Sequence, residues 1–122
     1  MALHHASSGE LIDLRPLRGK LATSVTTTLY NSDRMKVFRV VLLAGKATPL
    51  HQVAGELTAQ CLEGSVEFTG GETLHVMREG DLVCLAGNVM HGVKALEDAS
   101  VIVTLQLHPA LQADAPASTG GE

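Results

Sequence analysis

What most limits the fold of this chain is its punctuation. Between residues 22 and 107, short β-rich runs follow one another at near-regular spacing, most of them closed by turn clusters rich in glycine. Residues 22–29 are rich in β-branched side chains and stop at Tyr30-Asn31-Ser32-Asp33, and residues 35–43 stop at Ala44-Gly45-Lys46. Residues 57–62 turn through Glu63-Gly64 into 65–68, which turn through Gly70-Gly71 into 73–77. Glu79-Gly80-Asp81 precedes 82–85, the loop Ala86-Gly87-Asn88 follows, and runs 91–95 and 100–107 complete the series. No segment carries a convincing amphipathic-helix pattern. The expectation is an all-β chain, an antiparallel barrel or sandwich.

At 122 residues the chain is long enough for one core and too short for two. With no Trp, one Tyr and two Phe, that core has to be aliphatic. The same scarcity removes the stacking platforms of single-strand binders, and a net charge of −4 without a Lys/Arg cluster argues against a nucleic-acid partner. The longest apolar run, residues 40–44, is far too short to cross a bilayer. The N-terminus MALHHASSGE has no basic stretch followed by an apolar one, so the expected location is cytoplasmic, with no membrane partner. Cys61 and Cys84 fit two separate thiols in such a compartment better than a disulfide framework. Residues 109–122, rich in Ala, Pro, Ser and Gly, are expected to form a disordered tail.

Two spacings carry chemistry. Gly45 stands six positions before His51, and Gly64 closes the stretch that follows; Gly80 stands six positions before Ala86-Gly87-Asn88, with His91 in register behind it. In these spacings residues 35–107 resemble the cupin superfamily, and in particular its single-domain small bacterial members, most without an assigned reaction. The resemblance implies a double-stranded β-helix, an antiparallel jelly-roll barrel spanning 35–108. It also implies a homodimer in which residues 1–34 supply exchanged N-terminal strands; Glu10–Leu14 alternates like a strand able to do so.

The family's metal sites take two histidines and a carboxylate from the first motif and one histidine from the second. His51 and His91 match the first and the last. Val53 stands where the second histidine would be, Leu57 where the carboxylate would be, and Ala95 where the terminal Asn would be. Two imidazoles fall short of the three protein ligands that catalytic zinc keeps and of the two-His-one-carboxylate set of non-haem iron.

Glu56 would restore a carboxylate if a bulge at Ala54-Gly55 swung it inward; otherwise it is a solvated loop charge. Gln60 shares its parity and is either a pocket group or an outer-face residue. Cys61 is either a soft ligand or a buried thiol. His75 and His108 read as surface residues, and His4 and His5 have no evident partner.

Two functions follow as expectations. The first is a small-molecule-binding barrel in which His51, Gln60 and His91 orient the ligand against an apolar wall. The alternative is a metal-dependent oxygenase, isomerase or decarboxylase in which His51, His91 and Glu56 hold iron, manganese, zinc or nickel. The fold hosts many reactions, and the residues name none of them.

Overall fold

The computed structural model describes residues 5–107. His4, His108 and the expected tail at 109–122 lie outside the described residues. Eight strands are present: β1 Thr27–Asn31, β2 Met35–Leu42, β3 Leu57–Glu63, β4 Ser65–Gly70, β5 Thr73–Arg78, β6 Leu82–Leu85, β7 His91–Ala95 and β8 Ala99–Gln106. All but β1 lie where the turns predict; β1 starts later than the expected run 22–29 and takes in Tyr30 and Asn31 of the expected turn, because residues 22 and 23 belong to a 3-10 turn. All named pairings are antiparallel. One sheet has the order β1-β2-β8-β3-β6 and the other β5-β4-β7. Residues 45–51 extend the smaller sheet irregularly, through bridges from Ala47 to Lys94 and from His51 to His91.

The two sheets close on an aliphatic core. Ala59, Cys61 and Val101 from the larger sheet meet Val66, Phe68 and Ala95 from the smaller one, all essentially buried. Strand alternation builds this face: Leu57, Ala59 and Cys61 point in, whereas Thr58 and Gln60 point out. The Glu63-Gly64 turn is tight enough to require glycine. Gly64 has φ +77°, and a Cβ there would stand 2.1 Å from the Asp98 carbonyl oxygen.

The N-terminal region differs from its expectation. Residues 10–14 form no strand, and the first regular element is a 3-10 turn, Arg18–Thr23. The alternation seen in the sequence is nevertheless real, since Ile12 and Leu14 are half-buried while Leu11, Asp13 and Arg15 are exposed. An extended segment laid over a sheet face has the period of a strand without its ladder of hydrogen bonds. Arg39, on the outer face of β2, donates from Nη2 to the carbonyls of Asp13 (3.3 Å) and Arg15 (3.5 Å), which holds that segment in place.

Candidate functional site

His51 and His91 face each other across the irregular edge of the smaller sheet. Each donates and accepts one backbone hydrogen bond with the other, 3.0 Å from His51 N–H and 2.8 Å from His91 N–H. That bridge places the imidazoles side by side, with ring centroids 4.5 Å apart and planes tilted by 51°. Each ring is then oriented by its own backbone. His51 Nδ1 lies 3.1 Å from the Pro49 carbonyl oxygen, and His91 Nδ1 lies 3.0 Å from that of Val89. A carbonyl can only accept, so Nδ1 carries the proton and, in the neutral ring, Nε2 carries the lone pair. Phe68 lies parallel to the His91 ring, with centroids 6.4 Å apart.

Both histidines line a cavity of about 660 Å³ inside the barrel. The rest of its wall is mainly Phe38, Val40, Val53, Leu57, Val93 and Leu105, and among the described residues no Asp, Glu, Lys or Arg belongs to the lining. Sequence reasoning missed three polar members, Thr26, Thr48 and Gln52. Thr48 Oγ1 accepts the Val93 N–H at 3.0 Å, and Thr26 Oγ1 accepts that of Val41 at 2.9 Å. Gln52 neighbours His51, so strict alternation would turn it away from the cavity. The chain at 49–52 is no regular strand, and both residues reach the wall.

Glu56 and Gln60 are not in this site. The expected excursion at Gly55 does not occur, because the backbone there is pressed against β8: a Cβ on Gly55 would stand 1.8 Å from the Gln106 carbonyl oxygen. The Glu56 carbonyl accepts the Gln106 N–H at 2.9 Å. This locks the register so that Leu57 points into the barrel and Glu56 is exposed, beside a separate outer groove that also holds Arg34, Thr58 and Cys84. Gln60 is exposed, on the opposite face from Ala59. Cys61 is fully buried outside the cavity lining, and burial pushes its thiol up from the ordinary value, which disfavours the thiolate a metal needs. His75 is exposed, as expected.

Several solved structures share this architecture. An RmlC-like cupin protein from Desulfovibrio desulfuricans is 28% identical over 84% of this chain and 97% of that one, with a TM-score of 0.63. An RmlC-like cupin family protein with a double-stranded β-helix fold, from Methanocaldococcus jannaschii, is 20% identical over 88% of this chain and all (100%) of that one, with a TM-score of 0.69. The chain is a cupin-fold protein. KdgF from Halomonas sp. is also similar, at 20% identity over 68% of this chain and 77% of that one, with a TM-score of 0.64. No protein-family model matches the chain. No curated protein matches it either.

The cupin fold implies a divalent metal, and the donor set here does not fit one. Val53 and Leu57 fill the places of a second histidine and a carboxylate, each at most 5% exposed and packed on Leu105. Among the described residues, no group of three His, Cys, Asp or Glu side chains could hold a metal ion. The Nδ1-to-carbonyl orientation is one that metal-ligating histidines use, but two imidazoles remain one ligand short of a resident zinc or iron.

Proposed function

We propose that this cupin barrel binds a small, uncharged and largely apolar molecule, with His51 and His91 receiving its polar end. The observation that carries the reading is the side-by-side imidazole pair on a cavity wall that is otherwise mainly apolar and, among the described residues, has no Asp, Glu, Lys or Arg. An apolar wall with a few placed polar groups is the general recipe of a small-molecule site. A permanently charged ligand would lose its hydration there and find no lining carboxylate, ammonium or guanidinium in return. An imidazole can exchange a hydrogen bond with a hydroxyl as donor or acceptor, which suits a ring alcohol or a phenol.

Thermal unfolding in the presence of phenol, benzyl alcohol and cyclohexanol, against benzoate and cyclohexanecarboxylate, tests this. The neutral compounds are expected to raise Tm, and His51→Ala and His91→Ala to abolish the rise. A rise with the carboxylates alone, or one that persists in both variants, would overturn the reading.

A further inference from the structure

The largest concentration of buried polar groups lies on the outer face of the five-stranded sheet, away from the cavity. A bulge in β3 creates it. Register with β8 shifts between Cys61 and Glu63, so Glu63 stands opposite Ser100 and leaves the inward row of Leu57, Ala59 and Cys61. Glu63 is only 7% exposed, and its carboxylate is saturated with donors. Oε2 accepts the Leu17 N–H at 2.7 Å and the Ser100 hydroxyl at 2.9 Å, and Oε1 accepts the Arg18 N–H at 2.9 Å.

Two successive N–H groups converge on one anion because Leu17 is right-handed (φ −77°, ψ −23°) and Arg18 is left-handed (φ +50°). This pair of conformations forms an anion-holding nest, and it accounts for the positive φ of a non-glycine residue. The 3-10 turn buries Leu21, and Ser24 closes it by donating from its N–H to Leu21 and from its hydroxyl to Lys20. Two residues later Thr26 reaches the cavity wall and holds the Val41 N–H.

We propose that residues 6–24 form a strap that opens from the barrel as one unit, that Glu63 is its latch, and that the latch positions the cavity wall at Thr26. The strap is held through its backbone by Glu63 on N–H groups and by Arg39 on carbonyls, and it is packed through Leu21, Ile12 and Leu14. This inference is independent of the ligand and can fail without touching the reading of the cavity.

Amide hydrogen exchange on the full chain tests it. In the unaltered protein, the Leu17, Arg18 and Val41 amides are expected to exchange at one common rate, at least tenfold faster than Ala59 and Val101 in the core. Glu63→Gln, which removes the charge from the latch, and Arg18→Val, which puts a β-branched residue where φ is positive, are each expected to speed the first group several-fold. The core should stay slower in both. The double variant should be no faster than the faster single, because both changes release the same contact. Ser100→Ala, which removes one donor, gives the same direction if Glu63→Gln does not fold. Strap and core amides exchanging at one rate would overturn the proposal. So would faster exchange at Leu17 and Arg18 with Val41 unmoved, or single-variant effects that multiply in the double.

Discussion

The cavity between the sheets and the outer face of the five-stranded sheet handle polar groups in opposite ways. In the cavity, two histidines at the edge of the smaller sheet each set Nδ1 against a backbone carbonyl and stand among mainly aliphatic side chains. On the outer face, a carboxylate and a guanidinium, Glu63 and Arg39, are both more than nine-tenths buried and bond the backbone of the N-terminal strap, Glu63 taking the Ser100 hydroxyl as well. A buried charge is tolerable only where it is compensated, and the outer face supplies three donors to one carboxylate. The cavity has no such compensation. The chain therefore uses its buried charge to fasten itself, and the ligand proposed for its cavity is uncharged.

Placing a charge inside breaks this contrast most directly. The double variant Val53→His, Leu57→Glu puts a carboxylate and a third imidazole into the wall beside His51 and His91. Without metal it should lose roughly 3 kcal/mol of unfolding free energy, since the new carboxylate is buried without its partners. Zinc at a hundredfold excess over its Kd should then restore about 2.7 kcal/mol, visible as a zinc-dependent rise in Tm absent from the unaltered chain.

Removing the charge outside is the smaller counterpart. Glu63→Gln should cost about 2 kcal/mol in chemical denaturation, because hydrogen bonds to an ionised acceptor become hydrogen bonds to a neutral one.

The same carboxylate gives the outer face an acid dependence. Burial pushes the Glu63 carboxyl up, but the N–H groups of Leu17 and Arg18, the Ser100 hydroxyl and the nearby Arg39 together bring it below its ordinary value of 4.5. A group depressed in the folded state stabilises fully above its unfolded pKa and loses that contribution as pH falls through the folded one. Stability should therefore decline as pH drops below about 4.5, with a smaller decline in Glu63→Gln. Equal slopes in the two proteins, measured by denaturation at successive pH values, would assign the acid loss to other carboxylates.

The smallest effects belong to the two residues the sequence offered as extra site members. Glu56→Ala and Gln60→Ala are exposed changes and should alter stability by less than about 0.5 kcal/mol. Binding of any neutral ring compound, measured by calorimetry, should be unchanged in both.

Strands β2 to β8 were legible because turn clusters and β-rich runs mark them, whereas the β-branched run 22–29, with no glycine to bound it, misplaced β1. The His51–His91 pair was legible because its spacing from Gly45 and Gly80 is a matter of counting along the chain. What escaped lies where period two fails. Gln52 and Thr48 join the cavity from an irregular edge segment, where alternation does not govern which side chains face inward. Glu63 reaches the outer face through a bulge that no residue type announces. Glu56 stays outside because Gly55 packs against backbone that is distant in sequence, so its glycine served close approach and not a swing of the loop. The alternation at residues 10–14 was read as a strand, and the structure keeps its pattern of burial without a strand. Its partner, the charged pair of Arg39 and Glu63, could only be seen once the sheet was formed.

The measurement that bears most directly on the cavity is a calorimetric zinc titration of the unaltered chain, run beside His51→Ala and His91→Ala. The account predicts no site of one zinc per chain that depends on both histidines; any heat should persist in the variants, as binding to exposed imidazoles such as His75 would. One zinc per chain, lost in both variants, would contradict it and return a metal to the barrel.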